Sequence, residues 1–296
     1  MKIPRRHLLM NGVAAASVVS LIGAQPALSA TSPSTPQNLD WSGTDLLRAF
    51  VKARSSLNEE FTIGWVDAST YAVMGAETAP LYRLLAATWQ KHRRVDDRTY
   101  EGKVLEVAFY LDFNTGQRLE KLTMPRTNTA VEVPNYRSGP SANKILLEDS
   151  GQEDFKMGAE TQAGGSFFRA GTSYREQRLS QPQHDGADFL VRQTLGTRVM
   201  MQGSDKPGFF YHEWTINRAP WRDIVNNKVA STNVEVQYSS IAAFRPWMKM
   251  QNVEGHTLQN GRGGKVWKPD QLPRQLLALC KQFHPDLLAD PAKVFV

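Results

Sequence analysis

Side chains able to do chemistry are few in this sequence, and those that stand out are placed by strand-like alternation. His212 falls between Phe210 and Trp214, with Ile216 completing the same face. Burial on such a face lowers an imidazole's pKa and leaves a neutral base near working pH. Tyr110 and Asp112 end a run that alternates from Leu105, and His256 follows Gly255 further along. Brought together, these four would support acid–base chemistry without a cofactor, as in an isomerase, lyase or hydrolase. Trp65, Tyr71, Phe210, Trp214, Tyr238, Trp247 and Met248 would line a pocket for a small apolar or aromatic molecule. The same residues would also fill the core of a large barrel.

Established catalytic motifs are absent. Gly171-Thr172-Ser173 ends in Tyr174-Arg175 and lacks the second glycine of a nucleophile elbow. Gly261-Arg262-Gly263-Gly264-Lys265 has the wrong glycine spacing for a phosphate loop, and Val266 stands where the metal-binding hydroxyl belongs, so it reads as a hairpin turn. Asp112, Asn114 and Gly116 make a turn too short for a calcium loop. Beyond the N-terminal segment the histidines are His92, His184, His212, His256 and His284, with no metal-ligand spacing among them. The expectation is no metal and no cofactor, although distant strands could still assemble a site from histidines such as His212 and His256.

The segments that must position these residues are mostly strands. Leu105, Val107, Phe109 and Leu111 alternate with Glu106, Ala108 and Tyr110; turns at Asp112–Gly116 and Pro125–Asn128 then predict a three-strand meander to Val133. Phe61 to Trp65 and Tyr71 to Met74 read as short strands, Leu81 to Val95 as strand rather than helix, and Asn233 to Phe244 as a strand with one wet face. A helix starting at Ser42 or Thr44 presents Leu46, Leu47, Phe50 and Val51 on one side, and a closing helix runs to His284-Pro285. Residues 135–186, rich in Gly, Ser, Gln and Glu, read as a long polar loop region. Asn260-Gly261 suits a tight turn.

At 296 residues, 41% hydrophobic and 22% charged, the chain can bury one sizeable core. Its single cysteine, Cys280, excludes an internal disulfide. Arg5-Arg6-His7-Leu8-Leu9, the moderately apolar Val13 to Ile22 and the small residues near Ala30 read as a twin-arginine signal over residues 1–30, with a flexible leader over 31–40. Its apolar run is about half of the roughly 20 residues a membrane span needs, so no stable span is expected. Its removal leaves 32 basic residues against 29 acidic, too small an excess to imply a nucleic-acid partner. Residues 41–296 are then a single β-rich domain, periplasmic or secreted, whose partners are the Tat export machinery and a small apolar molecule.

Phe109-Tyr110-Leu111-Asp112-Phe113-Asn114-Thr115-Gly116, Arg126 to Val133, Pro246-Trp247-Met248-Lys249-Met250, Gly255-His256, Gly264-Lys265 and Leu272-Pro273 share order and spacing with a bacterial and fungal family. In these pieces the chain resembles the domain-of-unknown-function family DUF1838. Phe113 stands where that family usually has proline, and Asn135-Tyr136 where it has a histidine-containing segment. The resemblance implies an exported, β-rich protein and no particular activity.

The fold expected is mainly β, all-β to α+β: an antiparallel barrel or strongly curved sheet with flanking N- and C-terminal helices. Three functions stay open: a binder of a small apolar or aromatic molecule, a cofactor-independent acid–base enzyme, and an envelope structural or interaction protein.

Overall fold

Leu147 joins two strands that lie at opposite ends of the sheet, and this connection dictates how the sheet curls. The computed structural model describes residues 39, 41–156, 170–201, 207–250 and 252–295; residues 1–30, expected to be a signal, lie outside them. The strands are β1 (Thr62–Met74), β2 (Glu77–Arg94), β3 (Thr99–Leu111), β4 (Lys121–Thr123), β5 (Ala130–Glu132), β6 (Tyr136–Leu146), β7 (Glu148–Lys156), β8 (Ala170–Leu179), β9 (Gln183–His184), β10 (Asp188–Met201), β11 (Pro207–Pro220), β12 (Glu235–Ala242) and β13 (His256–Val266). The helices are α1 (Thr44–Arg54), α2 (Trp221–Val225), α3 (Arg274–Phe283), α4 (Pro285–Ala289) and α5 (Pro291–Val294), with short 3-10 turns at Pro246–Met248 and Pro269–Gln271.

Eleven strands form one antiparallel sheet in the order β6-β3-β2-β1-β13-β12-β11-β10-β8-β7, with β9 beside β10. For β6 and β7 to be joined by one residue, the sheet must curl until its ends approach. Where they do, the Leu179 amide donates to Leu147 O at 3.1 Å and Gln177 Nε2 donates to Leu146 O at 3.1 Å, tying β6 to β8. The result is a curled half-barrel, the strongly curved sheet expected.

Its two faces are used in an unexpected way. The apolar side of β3, Leu105, Val107, Phe109 and Leu111, is on the convex outside, together with Leu85, Ala87 and Trp89 of β2. Helices α3 and α4 cover it with Leu276, Cys280 and Leu287, all fully buried. The other side of β3, Glu106, Ala108 and Tyr110, faces the concavity. Helix α1 closes one end of the concavity, packing Leu46, Leu47, Phe50 and Val51 against Ile145, Leu147, Phe189, Val191 and Val236. The opposite end is filled by Met124, Val131 and Val133 of the β4–β5 hairpin and by Phe244, Met248 and Met250.

Several expectations need correcting. Residues 135–186 are not a long loop: β6, β7, β8 and β9 lie within them, while residues 157–169 lie outside the described residues. As strands at the sheet's ends, β6 and β7 carry few apolar side chains, so they lack the alternation that marks a half-buried strand. The meander is interrupted, because β3 pairs with β2 and β6, and β4 pairs only with β5 in a separate sheet. Asn260 and Gly261 are inside β13 rather than in a turn, paired with Ser69 and Ala68 of β1 on one side and Ser239 and Tyr238 of β12 on the other. A Cβ at Gly261 would meet Asp67 O at 2.2 Å, so the glycine serves close approach of two strands. The α1 N-cap is Gly43, with no side-chain cap. No helix among the described residues is long and apolar enough to cross a membrane.

Candidate functional site

The concave face forms a polar cavity lined from nine strands, β1 to β3, β6, β8 and β10 to β13. Two connected chambers share Leu84, Glu106, Leu195, Tyr211, Glu213 and Tyr238. The chamber toward α1, about 270 Å³, is lined further by Thr88, Gln90, Asn143, Gln177, Gln193 and Thr215. The chamber toward the β4–β5 end, about 370 Å³, adds Tyr82, Tyr110, Tyr136, Phe209, Arg245 and Gln259. In this second chamber five tyrosines, one arginine and two carboxylates meet, while Arg54 and Arg175 line the chamber toward α1.

The two carboxylates differ in their surroundings. On β11, Glu213 accepts a short hydrogen bond at Oε2 from the Tyr211 hydroxyl. On β3, Glu106 has no hydrogen bond or ion pair among the described residues. Burial pushes its pKa up to about 7, with the Arg245 charge pulling the other way and the Glu213 charge adding to the rise. Glu106 is therefore divided between acid and carboxylate near neutrality, the poise of a general acid or base.

The tyrosines stay neutral donors. Burial pushes Tyr110 up to about 12, and also raises Tyr82, Tyr211 and Tyr238. For Tyr136 the Glu106 charge comes first and burial second. A belt of hydroxyls and amides runs across the floor from Glu213: Tyr211 to Tyr238 at 3.1 Å, Tyr238 to Ser240 and Gln259 at 3.0 Å each, and Gln259 Nε2 to Thr70 Oγ1 at 3.2 Å. With the Tyr211 proton committed to Glu213, the single Tyr238 proton can turn to Tyr211, Ser240 or Gln259. Arg245 precedes the 3-10 turn at Pro246–Met248 and lies over the Phe209 ring at 5.3 Å. Its guanidinium makes no hydrogen bond or ion pair among the described residues.

Behind the α1 chamber, His92 is locked in place. Its Nδ1 lies 3.1 Å from Ser55 Oγ and its Nε2 2.9 Å from Asn143 Oδ1, so with Asn143 Oδ1 accepting, Nε2 carries the proton and Nδ1 accepts the Ser55 hydroxyl. Burial lowers the His92 pKa and keeps the ring neutral. The arrangement has the members of a nucleophilic triad, but Ser55 is 0% exposed and cannot meet a substrate. It orients Asn143 toward the cavity.

Of the residues singled out from the sequence, the cavity receives Tyr110 and Tyr238, with Trp247 packed edge-on against Tyr110 at 5.4 Å and Met248 buried behind. His212, Phe210 and Trp214 lie on the convex face, His212 in a shallow groove with Arg198 and Glu176 and Trp214 44% exposed. Trp65 packs in the convex core, and Tyr71 packs against Phe113 at 5.7 Å. Asp112 shapes a turn: the Thr115 amide at 2.7 Å and hydroxyl at 3.0 Å, with the Asn114 amide at 3.0 Å, donate to it and hold its carboxyl below the usual range. His256 opens β13 opposite Val73 and lines neither chamber. The cavity's own Glu106, Tyr211, Glu213 and Arg245 passed unnoticed in the sequence, although Glu106 and Glu213 sit within the very alternations that flagged their neighbours. Among the described residues, no group of three or more His, Cys, Asp or Glu side chains is placed to hold a metal ion.

No family model matches the chain, and no curated protein matches it.

Proposed function

We propose that the protein binds a small aromatic molecule bearing a carboxylate in the concave cavity, as an exported protein of the family it resembles. The observation that carries this reading is Arg245: a guanidinium facing a concave, tyrosine-walled space with no carboxylate paired to it among the described residues. An unpaired cation in such a place is costly unless an anion completes it. Tyr82, Tyr110, Tyr136, Tyr211 and Tyr238 supply ring faces for an aromatic body and hydroxyls for its polar substituents. Ring faces beside hydroxyls, amides and charged groups in the lining favour an amphipathic ligand over a purely apolar one.

The test is a paired titration of 4-hydroxyphenylacetate and its neutral amide, followed by calorimetry. A charge-assisted contact of about 1.5–3 kcal/mol corresponds to roughly 10- to 100-fold tighter binding of the acid. Equal affinity for acid and amide, or no binding of either, removes the reading.

A further inference from the structure

We propose that the cavity is an acid–base active site in which Glu106 takes a proton from, and returns it to, carbon of a bound aryl-substituted 2-oxo acid. The inference rests on the ligand reading above and adds a reaction to it. Its basis is the contrast between the two carboxylates. Glu213 is held by the Tyr211 hydroxyl and acts as a fixed part of the wall. Glu106 stands at the junction of both chambers, with nothing among the described residues bonded to its oxygens. A carboxyl enclosed in this way and left unpaired gains nothing for the fold, which marks it for work on a ligand.

The neighbours fit that work. Tyr110 is two residues along the same face of β3, and Tyr136 lies across the β3–β6 pair, its partner Ala108 sitting between Glu106 and Tyr110. Both are neutral phenols able to donate to an oxygen that gains charge. Arg245 lies in the same chamber to hold a carboxylate. The smallest ligand class that uses all three features has an aromatic ring, a carboxylate and a carbon-bound proton made acidic by an adjacent keto group.

The step balances without an added reactant. The Glu106 carboxylate removes the proton from the carbon beside the keto group. The C–H pair becomes the C=C bond, and the carbonyl π pair moves onto oxygen, where a tyrosine hydroxyl stabilises it. Return of the proton from the Glu106 carboxyl to carbon restores the keto form. In D2O the carboxyl exchanges with solvent between the two events, so deuterium is delivered to carbon.

Phenylpyruvate is the probe, with loss of its benzylic signal in D2O followed by proton NMR and its binding by tyrosine and tryptophan fluorescence. The wild-type protein should accelerate exchange, and Glu106→Gln should bind phenylpyruvate yet exchange at least about 100-fold more slowly. Glu106→Asp, which keeps the acid, should retain part of the rate and guards against a folding defect in the amide variant. The wild-type rate should rise with pH and level off above about 7, as the carboxylate form accumulates. Binding without exchange above the Glu106→Gln rate, or equal exchange by both proteins, overturns proton transfer and leaves the ligand reading standing. Failure of the wild-type protein to bind phenylpyruvate overturns both.

Discussion

Glu106 and Glu213 reach one cavity from opposite arms of the sheet, and among the described residues only Glu213 of the two is hydrogen-bonded, its Oε2 accepting the Tyr211 hydroxyl. Four strands, β2, β1, β13 and β12, separate β3 from β11 in the sheet order, so the pair meets only because the sheet curls. The asymmetry leaves Glu106 as the member with its oxygens open to a ligand.

That difference is measurable as stability. Glu106 has its pKa raised from 4.5 to about 7, so the folded protein binds more protons than the unfolded chain between those values. The group's contribution is fully present below about pH 4.5 and is lost as pH rises through 7. The shift corresponds to about 3 kcal/mol at most, and cavity water should reduce it to about 1–2 kcal/mol. Glu106→Gln should therefore gain stability relative to wild type between pH 5 and pH 8 by that amount in urea unfolding. A pH-independent difference would show that the carboxyl is solvated.

Two buried ammonium groups should be structural in the opposite sense. Lys265 Nζ donates to Lys52 O at 2.5 Å, Ser55 O at 2.7 Å and Ser231 Oγ at 2.7 Å, closing the C-terminal end of α1. Lys52 Nζ does the same for Ile224 O at 2.7 Å and Asn226 O at 2.8 Å after α2. Burial pulls the pKa of both down, yet three acceptors around Lys265 call for three N–H groups. Lys265→Met strands those acceptors and should cost about 3 kcal/mol in urea unfolding; an unchanged midpoint would contradict the assignment.

The glycines of β13 give a sharper contrast. Gly261→Ala drives a Cβ to 2.2 Å from Asp67 O and 2.5 Å from Ala68 Cα, whereas Gly64→Ala on the paired strand meets nothing closer than 3.8 Å. The first should lose about 1–3 kcal/mol by overpacking, and the second should stay within about 0.5 kcal/mol of wild type. Thermal melts of the two variants side by side decide it, and equal melting temperatures would refute the close-approach account.

The proposed twin-arginine export is tested separately. Replacing Arg5 and Arg6 with lysine should trap folded precursor in the cytoplasm, because a twin-arginine reader demands the guanidinium pair. Cys280 is the sole cysteine and is buried with its thiol pushed up to about 12, so the folded precursor would need no internal disulfide. Unimpaired export of the double-lysine variant, read by fractionation, would point to the general secretory route.

These residues also show how far the sequence could be read. The strands at Leu105 to Leu111 and Asn233 to Phe244 and the two flanking helices were legible because each has one apolar side covered by a neighbour. Alternation tells that a strand has two faces but not which of them lines a cavity. On β11 the aromatic row Phe210, His212 and Trp214 drew attention, yet it faces outward, and Tyr211 and Glu213 face in. On β3 the apolar row faces outward because α3 and α4 cover it, leaving the polar row for the interior. Strands β6 and β7 lack a signal, since sheet ends with polar surroundings need no apolar alternation. Arg245 sits beyond β12, just before a 3-10 turn, and only the curl of the sheet brings it to Glu106.

The central claim, that Arg245 holds a carboxylate inside the tyrosine-lined cavity, is tested most directly by calorimetric titration of phenylpyruvate into wild-type protein and Arg245→Met. The account predicts that the variant folds, keeps its far-UV spectrum and binds roughly 10- to 100-fold more weakly. Unchanged affinity in a folded variant would contradict it.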